Sequence, residues 1–252
     1  WTNVIGMDYG KALRSIGTLG GGNHFIEVGK DSQDNTWVAI HSGSRNFGLR
    51  IANHFQRKAR KNLEQNHPGQ QYKDLEYLVV DSRDGQDYLK AARYAQSYAS
   101  LNRATMLEEI SRFFSAEPVE VIESVHNFIG NDNIIRKGAT PARKGERVII
   151  PFNMRDGLAL CTGKGSAKYN YSAPHGAGRI LSRTKAKQVL SMDEFAKSMR
   201  KAGVFTTTAT KETLDEAPDA YKDKELIIQN ITETVEVNDF VKPIYNFKAH
   251  GE

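Results

Sequence analysis

Apolar positions along this chain fall into two kinds of run. One has helical spacing. Tyr88, Leu89, Ala92, Ala95, Tyr98, Ala99, Met106 and Ile110 follow the turn Asp84-Gly85 and predict a long amphipathic helix to about Phe114. Residues 49–65 read as a basic helix after the turn Ser42-Gly43-Ser44-Arg45. The other kind is short and continuous. Trp37-Val38-Ala39-Ile40 predicts a buried strand ending at His41. Val119, Val121 and Ile122, then Ile134-Ile135, then Val148-Ile149-Ile150 suggest several strands joined by Gly- and Pro-containing loops. Residues 1–30 look like loop and strand, and 153–178 form a polar, glycine-rich stretch. Segments 180–186 and 192–201 are helical candidates, 215–220 a loop, and 235–245 a strand. No internal repeat, low-complexity tract or composition shift marks a boundary. The mixture predicts an α+β fold with much irregular loop.

Composition narrows the class. With 252 residues, 39% hydrophobic and 26% charged, the chain can bury a sizeable core and reads as a soluble globular protein. No stretch approaches the roughly 18 apolar residues needed to cross a bilayer. No basic-then-apolar start resembles a signal peptide, so a cytoplasmic setting is expected. The lone cysteine, Cys161, excludes an internal disulfide and is expected to be a small buried hydrophobe. A net charge of +5 and a pI near 9.1 tolerate a polyanionic partner without selecting one. The chain begins at Trp1, as expected of a processed chain or of part of a longer one.

Chemistry enters with the histidines. His24, His41 and His126 each lie beside a strand-like run, with Asn23, Ser42 and Asn127 next to them. Neutral imidazole suits manganese or zinc, and polar neighbours can fix the ring. Their spacing matches no compact metal motif, so a satisfied structural role stands beside the metal role. His54 and His67 read as solvent-facing, and His250 lies near the chain end.

His175 sits in Ser172-Ala173-Pro174-His175-Gly176-Ala177-Gly178-Arg179. Glycines there let backbone N–H groups form an anion nest, and Arg179 can grip a phosphate. Histidine in such a place can attack phosphorus and carry a phosphoramidate. The alternative is a plain turn whose histidine caps a helix starting near Ile180. The order of a Walker A loop is absent.

Seven strings together resemble the RtcB family of RNA ligases. They are Gly17-Thr18-Leu19-Gly20-Gly21-Gly22-Asn23-His24-Phe25-Ile26-Glu27, His41-Ser42-Gly43-Ser44-Arg45, His126-Asn127, Arg136-Lys137-Gly138-Ala139, His175-Gly176-Ala177-Gly178-Arg179 with Ser182-Arg183, Glu216-Ala217-Pro218-Asp219-Ala220-Tyr221-Lys222-Asp223, and Lys242-Pro243 followed by Lys248. Each string alone is weak; seven in the family's order are specific.

The resemblance implies a GTP- and manganese-dependent ligase. Such an enzyme joins RNA ending in a 2′,3′-cyclic phosphate or 3′-phosphate to RNA beginning with a 5′-hydroxyl. His175 would be the nucleophile that carries GMP. His24, His41 and His126 would hold metal, with two ions in the complete family site. Asn23, Glu27, Asn153, Gly176, Ala177, Gly178, Tyr221 and Lys248 would bind the nucleotide with His175. Of these, Glu27 would read the guanine edge, Tyr221 would stack on the base and Lys248 would hydrogen-bond to it. Arg45 and Arg179 are candidates for phosphates or the RNA end. The fold implied is one catalytic body over residues 1–252 around a metal and nucleotide cleft, the C-terminal two-thirds of a longer family member.

Two departures qualify the match. Pro151-Phe152-Asn153-Met154-Arg155-Asp156-Gly157 stands where the family has Pro-Gly-Ser-Met-Gly, so Asn153 replaces a nucleotide-contacting serine. The family's N-terminal Asp-x-x-Cys metal motif is absent, and Cys161 does not align with it. A related guanylyl-transfer enzyme acting on RNA ends, or an RNA-binding fragment without turnover, fits the same strings.

Overall fold

The computed structural model describes residues 1–70 and 72–249; His250 lies outside the described residues. It is an α+β structure whose contacts divide into two compact units, residues 1–18 with 42–116, and residues 19–41 with 117 onward. Among the described residues no helix is long and apolar enough to cross a membrane.

The first unit is helical, with α1 (Tyr9–Arg14), α2 (Phe47–Asn66) and α3 (Arg83–Phe114). In α2, Phe47, Ile51, Phe55, Ala59 and Leu63 recur every fourth residue and are all buried. Phe47, Ile51 and Phe55 pack with Ile5, Met7, Ala91 and Ala95. The predicted turn at Asp84-Gly85 is instead the first turn of α3, because Ser82 caps it by accepting from Gly85 N at 3.1 Å. Ser115, at φ 51°, ends the same helix. The helix α1 lies in a region read as loop and strand; Asp8 caps it. His67 is exposed, as expected, whereas His54 is half-buried, its ring 5.0 Å from that of Phe55.

Among the described residues the second unit holds nine strands: β1 (Phe25–Lys30), β2 (Thr36–His41), β3 (Phe128–Ile129), β4 (Ile135–Arg136), β5 (Ala139–Pro141), β6 (Arg147–Asn153), β7 (Gly157–Gly163), β8 (Ser172–Pro174) and β9 (Val235–Lys248). It also holds α4 (Arg183–Val189), α5 (Met192–Ala202) and α6 (Lys224–Asn230). Five strands form one antiparallel sheet in the order β2-β1-β9-β7-β6. The long β9 pairs with β7 through Val235–Val241 and with β1 through Lys242–Lys248.

Val148, Ile150 and Phe152 of β6 and Ala159 and Cys161 of β7 build the core on one face of the sheet. Leu158 and Leu160 of β7 face the other way, with Val241. Cys161 is fully buried, and burial pushes its thiol up to about 11, so the inert reading of this cysteine holds. The strand expected around Val119–Ile122 does not form. Val119 and Val121 are exposed and the segment is irregular up to His126.

Candidate active site

Strand register assembles the first part of the site. Phe25 stands opposite His41 in the β1–β2 ladder and opposite Lys248 in the β1–β9 ladder. Side chains of directly paired residues share a face. The ring of Phe25 accordingly meets His41 edge-on at 5.3 Å, and the Lys248 ammonium lies 4.9 Å from its centre. His24, one residue before β1, donates from Nδ1 to the Leu19 carbonyl at 2.8 Å. That bond fixes the tautomer, with the proton on Nδ1.

Four of the seven histidines then gather. Ring centres are 5.6 Å apart for His24 and His41, 5.2 Å for His41 and His126, and 4.4 Å for His126 and His175, the last pair stacked. Burial, reinforced by His126, Lys248, His24 and His175, holds His41 well below the usual histidine range. It is therefore neutral, the form that ligates metal.

Among the described residues no group of three or more His, Cys, Asp or Glu side chains converges closely enough to hold a metal ion. Three clustered imidazoles are nonetheless the donor type that suits manganese or zinc.

His175 follows β8, which pairs with β5. Its backbone N–H reaches Gly138 O at 3.4 Å. Gly138, at φ 69°, faces the ring, and a Cβ there would touch it at 3.5 Å. The loop after His175 is pinned at both ends. Ala177 N donates to Pro151 O at 3.0 Å, and Lys222 N donates to Gly178 O at 3.1 Å. Ala177 N is thus not free for an anion. Ser182, not His175, caps α4, accepting from Lys185 N at 3.2 Å. The helix-cap alternative for His175 falls. Its Nδ1 is buried with no hydrogen-bond partner among the described residues, which a purely structural histidine rarely tolerates.

Glu27, Tyr221 and Lys248 come together through two residues the sequence did not single out. Asn246, opposite Glu27 in the ladder, donates to its carboxylate at 2.7 Å. Glu216 receives the Lys248 ammonium at 2.8 Å and the Tyr221 hydroxyl. Burial pushes Glu27 up to about 8, against the opposing effects of Asn246 and the Lys248 charge. Burial acts upward on Glu216 too, but Lys248, Tyr221 and Arg183 outweigh it and hold that carboxyl below its ordinary value. Burial likewise lowers Lys248, with Glu216 opposing.

Other candidates sit differently. Asn23 is exposed beside His24. Asn153 spends its amide inside the β6–β7 turn: Oδ1 accepts from Arg155 N and Asp156 N, both at 3.0 Å, and Nδ2 donates to Asp156 at 2.7 Å. Of its amide donors and acceptors, these bonds leave the second Nδ2 hydrogen for a nucleotide. Arg179 clasps the Asp215 and Leu181 carbonyls and Glu216 and lies 5.1 Å from the Tyr221 ring centre, so it is a brace here. Arg45 belongs to the first unit, where it donates to Thr18 Oγ1 at 3.0 Å.

A family model described as "tRNA-splicing ligase RtcB" matches residues 3–249. The "RNA-splicing ligase RtcB" of Escherichia coli is 34% identical over 242 residues, covering 89% of this chain and 59% of that relative. The "tRNA-splicing ligase RtcB" of Nanoarchaeum equitans is 30% identical, covering 85% of this chain and 55% of its own length. The chain spans less than two thirds of these curated relatives. On its match along nearly its whole length, the chain belongs to the RtcB family.

Proposed function

We propose that this chain carries the guanylyl-transfer centre of an RNA ligase that joins 3′-phosphate or 2′,3′-cyclic phosphate ends to 5′-hydroxyl ends. The observation that carries the reading is the run of four imidazoles, His24, His41, His126 and His175, joined through Phe25 to the Glu27, Lys248 and Tyr221 cluster. A charge-neutralising centre thus adjoins a base-reading centre, with a nucleophile at one end. Phosphoryl transfer needs positioning and charge stabilisation above all.

In this reading His24, His41 and His126 hold manganese, which neutralises phosphate charge when bound. Glu27 accepts from guanine N1 and N2, Lys248 donates to the base, and Tyr221 stacks on it. Asn23 and the loop of Gly176, Ala177 and Gly178 lie along the phosphates. Asn153 shapes the turn beside them. With Nδ1 buried, Nε2 of His175 is the attacking atom. The N–P bond to the α-phosphorus of GTP forms as the P–O bond to pyrophosphate breaks. An oxygen of the RNA 3′-phosphate then displaces the histidine and takes the GMP. Attack by the 5′-hydroxyl closes the RNA linkage, loses its proton and expels GMP.

The test is incubation with α-labelled GTP and manganese. Acid-labile, alkali-stable label is expected on the unmutated chain and none on His175→Asn. Equal label on both proteins sinks the assignment of the nucleophile. A second reading, guanylyl transfer to RNA ends without sealing, is favoured by the Asn153–Asp156–Arg155 turn in place of the family's small residues. Label transfer to a 3′-phosphate RNA with no sealed product would select it.

A further inference from the structure

Glu216 has more partners than its place in a 3-10 turn explains. It is 2% exposed. One carboxylate oxygen takes the Lys248 ammonium at 2.8 Å and the Tyr221 hydroxyl. The other takes Arg183 at 2.5 Å and Arg179 at 3.3 Å. Arg183 also pairs with Asp215, the second acid of the same turn, which takes Lys187 as well. One buried anion thus touches two residues assigned above to the base, and two arginines that brace them.

A purely architectural ion cluster would explain the arginines. It does not explain why the two remaining partners are the half-buried Tyr221 and the Lys248 that borders Phe25 and His41. The Tyr221 hydroxyl is tied to Glu216 while Arg179 lies against its ring. The ring is therefore held at its edge and at its face. The Lys248 ammonium is likewise anchored, and its backbone N–H is fixed by Thr208 Oγ1 at 2.9 Å. A side chain already held in one rotamer loses less entropy when a ligand arrives.

We infer that Glu216 is the positioning residue of the nucleotide site, locking the Tyr221 ring and the Lys248 ammonium before guanine binds. The inference rests on the proposed guanine-binding roles of those two residues. Glu216 itself touches no base; it acts through its two partners. Its electrostatic part is to oppose the burial that lowers Lys248.

The experiment is calorimetric titration of the full chain with GTP in the presence of manganese. The proteins are the unmutated chain, Tyr221→Phe, Glu216→Gln and the double variant. Tyr221→Phe removes the hydroxyl that donates to Glu216 and accepts a longer contact from Arg179 at 3.4 Å, and keeps the stacking ring. Freeing one ordered side chain should weaken GTP binding about threefold to tenfold. Glu216→Gln should cost about tenfold or more, because a buried cation also loses its partner. The double variant should bind little more weakly than Glu216→Gln alone, since the hydroxyl's short bond is to Glu216 and its Arg179 contact is long. Unchanged binding by Tyr221→Phe, or losses that multiply in the double variant, overturns the inference. Should Glu216→Gln fail to fold, the Tyr221→Phe result decides. An unmutated chain that binds no GTP overturns the nucleotide reading itself, a distinct outcome.

Discussion

Glu27 and Glu216 are both buried carboxylates near Lys248, yet they ionise in opposite directions. Glu216 takes the ammonium directly together with two guanidiniums, and Glu27 is left with a neutral amide. Without nucleotide, the folded chain therefore keeps Glu27 protonated to about pH 8, whereas the unfolded chain ionises it near 4.5; the guanine N–H donors would favour the carboxylate on binding. Between those values the folded state holds the extra proton, so stability falls as pH rises through this window and levels off above about 8. Glu27→Gln cannot ionise and offers an amide donor to Asn246 Oδ1, which is buried without a partner among the described residues. Its stability relative to the unmutated chain should improve by on the order of 3 kcal/mol between about pH 5 and pH 8. Urea unfolding at the two pH values measures this. A constant difference between the proteins would show that Glu27 does not carry the proton. The same substitution should weaken GTP binding, as removing a group kept for ligand rather than for stability does.

At the scale of elements, the β6–β7 hairpin makes a sharp case. Gly157 has φ 69°, and a Cβ there would lie 2.1 Å from Val241 O and 2.8 Å from Pro243 Cδ. Gly203, the C-cap of α5, has φ 74° but open space around it. Gly203→Ala should therefore cost only about 1 kcal/mol of backbone strain. Gly157→Ala should cost at least ~2 kcal/mol more, since β9 must move away from β7. Thermal melts of the two variants compare them directly, and equal losses would mean that the strand contact is not rigid.

This hairpin also marks the limit of what the sequence displays. The helices α2, α3 and α5 and the strands β2, β6 and β9 were legible, because one-sided burial or an apolar run left a pattern. The strand β7 was hidden inside the stretch read as polar and glycine-rich. Six of its seven residues are buried, so no alternation survives, and its side chains are too small to read as a hydrophobic run. At the site, His24, His41 and His126 are legible as histidines beside strand-like runs, and His175 as a histidine in a glycine-rich loop. Glu216, Asn246 and Phe25 escaped notice as working residues. Their importance comes from β1–β9 register and a 3-10 turn, neither of which has a local signal.

For the molecule as a whole, net charge of +5 bears on the partner rather than on the fold. If RNA is the substrate, phosphate contacts release counterions and affinity must fall with salt. A guanine site alone binds one nucleotide and gives a shallow dependence. An RNA strand touching about three phosphates should lose roughly twentyfold in affinity between about 50 and 200 mM monovalent salt. Anisotropy titrations of a labelled single strand ending in a 3′-phosphate would measure the slope, with GTP binding under the same conditions as the reference. Paired cations count for less here: Lys58 is held by Asp84, Arg60 by Glu76 and Lys168 by Glu233. Those lysines and that arginine must exchange a carboxylate for a phosphate before they release any counterion. The slope therefore reports the cations that are not already neutralised. A slope for RNA no steeper than that for GTP would mean that the strand beyond the reacting end makes no ionic contact, and the RNA-ligase reading of this chain would lose its substrate.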